Sequence, residues 1–578
     1  MNPLKTIFYF LILSFFLIEN LHGQLDLQNT QAPLLSEEQI TIQTDRGLYI
    51  TGEVLWFKII TIDKSTSKIS TDSKVGYTEL IAPNGTIIIR VKTELVNGKS
   101  AGSITLPKGI NSNLYTLRSY TRMMRNFDSA LFASKQVYIL NSDQSLLSND
   151  SIVSKSTNSK GHKIEDNNEL QIDIKIQNQR VQQRELVELK IKTTSVAGIN
   201  EPANLSISIS IPNPIASDDY SSPETIDIPS LKSSNVLLPE SIGMKLTGQV
   251  LNSLSNPSDE NIRVYLSFPG KTALVYSTFT DGEGRFDFLL PRLYGQRQVV
   301  LQLDPKTASE HSIIIDDEFH VSPSTDVLPF VLPDNLLAIA NRTLVNTQIA
   351  DSYNPFEAVP EYLINDKFTS LPFYGKADKV YKLDDYTRFP LPEFFYEIVP
   401  EVSVSGKFGN NRLGIVNEYK IAQRELIPLL LVDGVPVFEQ EHFLSINNKL
   451  IESSEIVRDP YWLNTILYHG IIHILSIDGD AGSFSLPASA HRTNFLTFLP
   501  ERQFTVPDYS SKTDEKLPDF RNTLFWNPSI TTDENGEASI SFYTSDAIGE
   551  YEVKVDAINS SGKEGRASML IEVLKFTK

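Results

Sequence analysis

Short segments in which apolar and polar residues alternate dominate the chain, and helical periodicity is scarce. The segments 170–176 and 205–211 both carry an apolar side chain at every second position. Because successive side chains of a strand point to opposite faces, each segment is expected to pack one face on a core and expose the other to water. Gly, Pro, Asn and Asp separate these segments at short intervals. The pattern predicts a mainly β protein of tandem β-sandwich domains.

The composition of the chain excludes several classes of binding partner and several types of site. A chain of 578 residues has room for about four domains of ordinary size. Its net charge of −19 argues against nucleic acid and against anionic membrane surfaces, both of which need a concentrated basic face. The chain has no cysteine, which excludes disulfides, thiolate metal sites and cysteine nucleophiles. An exported protein of this size without a disulfide fits a bacterial envelope better than a eukaryotic secretory route.

The N-terminus has the pattern of a secretory signal. Lys5 precedes an almost wholly apolar run at 7–18, and the small residue Gly23 follows. We therefore predict a signal peptide at 1–23, with a mature start near Gln24. Later segments never reach eighteen consecutive apolar residues, so no transmembrane span is expected in the mature chain. These features predict a protein of the periplasm, the outer membrane or the cell surface.

Polar tracts divide the rest of the chain. Residues 141–168 and 216–241 are rich in Ser, Asn, Asp or Pro and are predicted to be linkers. Between them lies a β-rich segment, 169–215, which we group with macroglobulin-like domains. A further tract at 323–400, rich in aromatic residues and proline, is predicted to be a connector with some short helix.

The first unit, at 36–140, contains the sequence TDRGLYITGEVLWFK at 44–58. It predicts a strand, a Gly-Glu turn and a second strand in which Trp56 or Phe57 anchors the core. This segment closely resembles the second macroglobulin domain (MG2) of the α2-macroglobulin family. That family captures targets through a Cys-Gln thioester, which a chain without cysteine cannot form. The C-terminal segment 480–578 resembles another macroglobulin-type sandwich, with an Asn535-Gly536 hairpin turn between two strands.

Two smaller resemblances lie between these units. Residues 242–322, with a strand at 245–250 and a turn at 280–284, resemble the carboxypeptidase-regulatory-like sandwich of transthyretin type, which implies a fold and no peptidase activity. Residues 401–479 resemble the plug domain of TonB-dependent outer-membrane receptors, a small α+β unit. The resemblance rests on PLLLVDGVPV at 428–437, a short element at 451–460 and LYHGIIHI at 467–474. Only about a hundred residues follow, too few for a receptor barrel, so we expect no transport by this chain alone.

Candidate site chemistry is sparse, and we predict no catalytic, cofactor-binding or metal-binding residue. His469 and His473 are expected on one face of a strand, but they lack a third ligand. The acids of Asp384-Asp385 and Asp316-Asp317-Glu318 lack a calcium-loop pattern and are predicted to be solvated. A Gly-x-Ser-x-Gly nucleophile motif is also absent. The triplets Asp128-Ser129-Ala130 and Asp150-Ser151-Ile152 resemble short O-glycosylation sites of bacterial envelope proteins.

The sequence therefore predicts a non-catalytic exported protein that acts as an interaction or accessory module at the outer membrane. Its expected partner is an envelope protein such as a TonB-dependent receptor or a channel. One alternative is a sugar-binding protein or hydrolase that uses aromatic side chains of the connector, where core packing is the competing interpretation. The residues concerned are Tyr381, Tyr386, Phe389, Phe394, Phe395 and Tyr396. A second alternative is a macroglobulin-like protein that binds proteases without covalent capture.

Overall fold

A computed structural model describes residues 37–144, 169–212, 236–252, 260–321, 330–353, 371–406, 411–416, 427–510 and 517–576, apart from 306, 309, 384, 385, 387, 388, 483, 488 and 489. This part of the chain is mainly β, as predicted, and forms three sandwiches and one mixed α/β unit. The predicted signal peptide and the triplet Asp150-Ser151-Ile152 lie outside the described residues. Within the described ranges no helix is long and apolar enough to cross a bilayer.

The first sandwich packs a sheet of β1, β3, β4 and β7 against a sheet of order β2-β9-β8-β5-β6. Its strands are β1 (Glu38–Thr44), β2 (Leu48–Ile50), β3 (Val54–Asp63), β4 (Lys68–Ile69), β5 (Val75–Ile81), β6 (Ile87–Glu94), β7 (Lys99–Thr105), β8 (Asn113–Tyr120) and β9 (Ala133–Leu140). Phe57 is fully buried in the core between the sheets. Its neighbour Trp56 lies on the other face of β3 and packs edge-on against Phe504. Phe57 is therefore the core anchor of this unit.

The second sandwich is assembled from two distant segments. Its strands are β10 (Leu170–Ile176), β11 (Arg180–Gln182), β12 (Leu186–Ser195), β13 (Ala203–Ser210), β30 (Thr523–Thr531), β31 (Glu537–Tyr543), β32 (Gly549–Asn559) and β33 (Glu564–Leu574). The sheet orders are β10-β12-β31 and β11-β33-β32-β13-β30. The sequence predicts 169–215 and 480–578 as separate units, whereas here they complete one another. Local alternation identifies strands but carries no information on which distant strand completes their sheet.

One strand of this sandwich departs from the predicted exposure. The strand β10 keeps the alternation of exposed polar and buried apolar residues, but all eight residues of β13 are buried. The polar face of β13 contacts the first sandwich instead of water. At its two ends, Asn204 accepts a hydrogen bond from Lys58, and the Ser210 hydroxyl donates one to the Asp45 carbonyl.

The third sandwich packs the sheet β17-β14-β19 against the sheet β16-β15-β18-β29. Its strands are β14 (Lys245–Asn252), β15 (Arg263–Phe268), β16 (Leu274–Phe279), β17 (Arg285–Leu289), β18 (Gln296–Leu303), β19 (His311–Ile315) and β29 (His491–Leu496). The last strand, β29, belongs to the segment 480–578, which thus contributes to two sandwiches.

Two similar turns connect opposite sheets of a sandwich. In each, an Asp side chain accepts backbone N–H groups two and four residues ahead, at Asp281 and at Asp533. The turn at Asp281 leads from β16 to β17, and the turn at Asp533 leads from β30 to β31. The strands on either side do not pair with each other, because they lie in different sheets. The predicted hairpin at Asn535-Gly536 is therefore wrong, and the turn is a corner between sheets.

The unit that contains the segment 401–479, which we call the plug-like unit after its predicted resemblance, has a mixed sheet of order β20-β25-β28-β23-β24, in which β23 runs parallel to β28. Its strands are β20 (Lys379–Lys382), β21 (Val402–Ser405), β22 (Arg412–Ile415), β23 (Leu429–Val432), β24 (Val435–Pro436), β25 (Ile451–Val457), β26 (Tyr461–Leu463), β27 (Ile466–Tyr468) and β28 (Ile471–Ser476). The predicted buried strands β23 and β28 and the element between them, β25, are confirmed. One face of the sheet shares a core with the helix at Leu391–Glu397, and the other packs on the third sandwich.

Three α-helices accompany the sheets in the described part of the chain, namely α1 (Leu337–Tyr353), α2 (Leu391–Glu397) and α3 (Gln440–Leu444). Ala340, near the N-terminal end of α1, packs with β2 and β9 of the first sandwich, together with Leu336 just before the helix. On the other side, Arg342 stacks over the Tyr551 ring of the second sandwich. The predicted connector therefore has two roles: α1 bridges the first two sandwiches, and β20 and α2 belong to the plug-like unit.

Candidate functional site

Three clusters of buried polar side chains lie where units meet, and the first of them we call the Asp45 junction. Asp45 is 2% exposed at the start of the turn between β1 and β2. Its Oδ1 accepts hydrogen bonds from the Tyr49 hydroxyl at 2.7 Å and the Trp56 N–H at 3.1 Å, and its Oδ2 accepts one from the Thr523 hydroxyl at 2.6 Å. Burial raises the pKa of Asp45, and the adjacent Arg46 opposes that rise. The carboxylate thus joins the first sandwich to the second.

Arg46 and Glu53 extend this junction to α1. The Arg46 guanidinium lies 2.8 Å from Oε2 of Glu53. The other oxygen of Glu53 accepts hydrogen bonds from the Thr347 hydroxyl on α1, at 2.9 Å, and from Asn522 Nδ2, at 2.8 Å. The residues that carry the macroglobulin resemblance, from Asp45 to Glu53, therefore hold three elements of the structure together.

The Lys92 junction joins the first and third sandwiches. The Lys92 side chain is fully buried, and its Nζ donates to Glu318 Oε1 at 2.6 Å. Three aromatic rings surround the ammonium, with centroids at 4.1 to 5.9 Å; they belong to Phe495, Tyr77 and Phe319. Burial lowers the pKa of Lys92, and Glu318 opposes that fall.

A second carboxylate, Glu240, shares the Lys92 junction. It accepts hydrogen bonds from the Tyr77 hydroxyl at 2.8 Å and from the Lys245 N–H at 3.0 Å. Burial raises the pKa of Glu240. Burial also raises the pKa of Glu318 to about 7, although the charge of Lys92 opposes this rise. Glu240 is 1% exposed although it lies in the predicted linker 216–241.

Two of the three acids at 316–318, Asp316 and Glu318, are paired with other side chains and are not the solvated loop acids that the sequence predicted, whereas Asp317 is exposed. Asp316 Oδ2 accepts hydrogen bonds from the Thr247 hydroxyl and from Arg285, both at 2.7 Å. Glu318 contacts Lys92, as described above. The other predicted pair, Asp384-Asp385, lies outside the described residues.

The Asp433 junction joins the plug-like unit to the third sandwich. Asp433 and Gly434 form the tight turn between β23 and β24, with φ of +48° and +82°. The Asp433 carboxylate accepts hydrogen bonds from the Ser476 N–H at 2.7 Å and the Ala481 N–H at 2.8 Å. A Cβ on Gly434 would lie 2.1 Å from Cβ of Ala273 in the third sandwich. Only glycine permits this close approach.

A buried histidine supports the same turn. His473 Nε2 accepts the Gly434 N–H at 2.8 Å, and its Nδ1 lies 2.7 Å from the Tyr374 hydroxyl. That hydroxyl lies 2.5 Å from Glu455 Oε2. Burial lowers the pKa of His473 to about 3, so the ring is neutral, and because Nε2 accepts, the proton is on Nδ1. The ring is thus a structural hydrogen-bonding group.

The predicted pairing of His469 with His473 on one strand face is wrong. The strand β28 begins at Ile471, and Gly470 before it has a φ of +84°, which turns the chain. Among the described residues, no group of three or more His, Asp and Glu side chains could hold a metal ion.

The aromatic side chains of the connector pack within the plug-like unit. Phe394 and Phe395 are fully buried, and Tyr381 donates to Glu401 Oε2 at 2.6 Å. Tyr386 and Phe389 are partly buried against the same core. Tyr396, by contrast, is 69% exposed.

An open cavity of about 550 Å³ lies between α1 and the second sandwich. The apolar residues Val345 and Ile548 line it beside Arg342 and Lys575. The Arg342 guanidinium stacks over the Tyr551 ring at 4.8 Å and donates to the Glu550 carbonyl at 2.8 Å.

At the triplet Asp128-Ser129-Ala130, which resembles a glycosylation site, Asp128 caps a short 3₁₀ turn by accepting the Ala130 N–H at 3.0 Å.

Comparisons with known proteins assign no family to this chain. No family model matches the chain, and no curated protein sequence shows significant similarity to it. Similar solved structures include the native α2-macroglobulin of E. coli, at 10% identity over 95% of this chain and 40% of that chain, with a TM-score of 0.24. The Salmonella α2-macroglobulin reacted with methylamine matches with the same identity and coverage and a TM-score of 0.23. The E. coli adhesin FdeC matches at 12% identity over 48% of this chain and 64% of that chain, with a TM-score of 0.14.

This chain therefore spans about two fifths of the length of the α2-macroglobulins it resembles. The carboxypeptidase-regulatory-like and plug-like assignments stay predictions from the sequence.

Proposed function

We propose that this protein is a non-catalytic scaffold that works by protein–protein contact in the bacterial cell envelope. One observation carries the proposal: three clusters of buried polar residues join the units to one another. The carboxylates of Asp45, Glu318 and Asp433 each bond to partners across a boundary or support a turn that packs across one. Such an arrangement favours a body with fixed relative orientation of its units, which suits the presentation of a binding surface.

The finer part of the proposal concerns the partner and the surface. The signal-like N-terminus and the acidic charge favour an exported protein that binds other proteins, and the plug resemblance favours an outer-membrane receptor or channel as the partner. In the plug-like unit, the β26–β27 hairpin presents Trp462 at 63% exposure opposite Leu467 across the two strands. Exposed tryptophan is typical of interface anchors. We propose that this hairpin contacts the partner.

The sugar-binding alternative needs exposed aromatic rings in the connector. Five of its six candidate rings contribute to the core of the plug-like unit, and Tyr396 alone is exposed among them. Burial preferences therefore favour the packing interpretation.

The test is affinity purification of the tagged protein from detergent-solubilised envelopes. We expect an envelope protein to co-purify with the wild type and to be lost with Trp462→Ala. Tyr396→Ala is the matched control, because it also removes an exposed ring from the plug-like unit, and we expect it to retain the partner. Recovery of the wild type without any envelope protein would contradict the scaffold proposal. Equal recovery with both variants would contradict the role of the hairpin.

A further inference from the structure

A lysine lies in the middle of the interface between the first and second sandwiches. Lys58 is in β3, within the apolar sequence VLWFKIITI at 54–62. Its neighbours Phe57 and Ile59 point into the core of the first sandwich, so Lys58 points out of that core, toward the second. The residue is nevertheless only 2% exposed, because the polar face of β13 covers it.

The direct partner of Lys58 is a carboxamide. Its Nζ lies 3.0 Å from Oδ1 of Asn204 on β13. Asn204 is itself buried, and its Nδ2 donates to Ser529 Oγ on β30 at 2.9 Å. Both side chains project from central strands, since β3 lies between β1 and β7, and β13 lies between β30 and β32. The amine and the carboxamide are therefore held against each other by rigid elements.

The charges around Lys58 do not neutralise it by direct contact. Among the described residues, no carboxylate lies within ion-pair distance of its Nζ. Asp556, on the neighbouring strand β32, instead pairs with Arg566, at 2.5 Å. Burial lowers the pKa of Lys58 to about 7, with a smaller lowering from Lys99 and an opposing effect of Asp556 and Glu564. Near neutral pH a substantial fraction of this side chain is thus the free amine, which is the nucleophilic form.

We propose that Lys58 and Asn204 form an intramolecular isopeptide bond that joins the first and second sandwiches covalently. In this step the neutral Nζ attacks the Cγ carbon of Asn204. The Nζ–Cγ bond forms, the Cγ–Nδ2 bond breaks, and Nδ2 leaves as ammonia. The proton that Nζ loses is the one that Nδ2 gains, so the reaction needs no oxidant or reductant.

The geometry supplies what such a reaction requires. Groups that the fold holds in a fixed orientation react as an intramolecular pair of very high effective concentration. Here Nζ lies 3.0 Å from Oδ1 of the carboxamide that it attacks. Ser529 accepts a hydrogen bond from the leaving nitrogen, which fixes the plane of the carboxamide. Both side chains are buried, which limits the access of water to the carbonyl carbon. The product links positions that are 146 residues apart, and a link of that span would restrict the unfolded chain strongly.

Cleavage at methionine provides a direct test on the full-length wild type. Met123 and Met124 lie between Lys58 and Asn204, and the next methionine is Met244. Cyanogen bromide in denaturant therefore puts Lys58 and Asn204 on separate fragments. We expect these two fragments to migrate as one species on a denaturing gel, with a mass that equals their sum less one ammonia. Because the chain has no cysteine, a disulfide cannot produce the same result.

Separate wild-type fragments with unmodified masses would overturn the proposal. Lys58→Arg and Asn204→Ala should each release the two fragments, because arginine has no primary amine and alanine has no carboxamide. Lys99→Arg is the matched control, since it changes a neighbouring lysine on β7, and its fragments should stay joined. If the fragments of Lys58→Arg stay joined, a different pair of residues forms the link and the assignment is wrong. Fragmentation of the joined species by tandem mass spectrometry identifies the linked residues.

Discussion

The Lys92 and Asp433 junctions both hold the third sandwich to a neighbour, but they bury polar groups in opposite ways. The Lys92 junction buries three titratable groups, the Lys92 amine with the carboxyl groups of Glu318 and Glu240, beside a set of aromatic rings. The Asp433 junction relies on a tight turn, backbone N–H donors and a neutral histidine. The stability of the Lys92 junction depends on the pairing of its titratable groups. The stability of the Asp433 junction depends on the space available around Gly434.

The largest expected effect comes from breaking the charged junction. Lys92→Ala should lower the free energy of unfolding by about 3–5 kcal/mol, because it leaves Glu318 and Glu240 buried without a positive partner. Urea denaturation measures the change. The double variant Lys92→Met with Glu318→Leu removes both charges and should recover much of the loss. A loss in the double variant as large as in Lys92→Ala would contradict the role of the ion pair.

Gly434→Ala tests the other junction. A side chain there adds about 1–2 kcal/mol of backbone strain and about 1–3 kcal/mol from overlap with Ala273. Gly198→Ala is the matched control, because Gly198 also has a positive φ, +77°, but a Cβ at this position would meet no atom of the described residues within 4 Å. It should cost only the backbone strain, about 1 kcal/mol. Equal losses in thermal or urea unfolding would show that the contact with Ala273 does not limit this position.

The two junctions should respond to pH with opposite sign. The pKa of Glu318 is raised from 4.5 to about 7 in the folded state, so its contribution to stability is present below pH 4.5 and is lost as the pH rises toward 7. The pKa of His473 is lowered from 6.5 to about 3, so the unfolded state binds the extra proton, and stability rises with pH between 3 and 6.5. Each group changes the slope by at most about 1.4 kcal/mol per pH unit.

Urea midpoints at pH 4.5, 5.5 and 6.5 separate these contributions. Compared with the wild type, Glu318→Gln should gain stability more steeply as pH rises, and His473→Gln should gain it less steeply. The readout is the slope, so a uniform loss of stability in either variant does not affect it. Parallel pH profiles for all three proteins would refute the opposite signs.

The smallest expected effect is that of Tyr374→Phe, which removes the hydroxyl between His473 and Glu455. We expect a loss of about 1 kcal/mol, the usual contribution of a hydrogen bond, measured by urea unfolding. The control Tyr396→Phe removes a hydroxyl from an exposed ring and should be neutral. A change in Tyr396→Phe of equal size would mean that the effect does not arise from the His473 contact.

The sequence predicts the strands far better than their partners. Alternation locates β10 and β13, and continuous apolar runs locate β23 and β28, because both patterns are local properties of the sequence. It cannot show that β12 pairs with β31, since pairing depends on a surface formed by residues far apart in the chain. It also misplaces the polar face of β13, because a serine and asparagine face looks the same whether water or another sandwich covers it.

The junction residues differ in how easily they can be recognised from the sequence. Lys58 interrupts an apolar run, which is a detectable sign that a charge is buried. Glu240 lies in a polar tract with no such contrast, and only the fold brings it beside Tyr77. The motif from Asp45 to Glu53 stands out by family resemblance, but its role as a contact to α1 and the second sandwich is visible only in the structure.

The second sandwich draws its strands from both sides of the long stretch that includes the third sandwich and the plug-like unit. During synthesis from the N-terminus, β12 and β13 emerge long before β30 to β33, their partners in the finished sheets. Until then β12 has β10 as its one strand neighbour, and β13 lacks both of the strands that flank it in the finished sheet. Closure of this sandwich is therefore a late, slow step, since it joins residues several hundred positions apart. Only a chain that includes β30 to β33 can therefore close the two sheets that β12 and β13 begin.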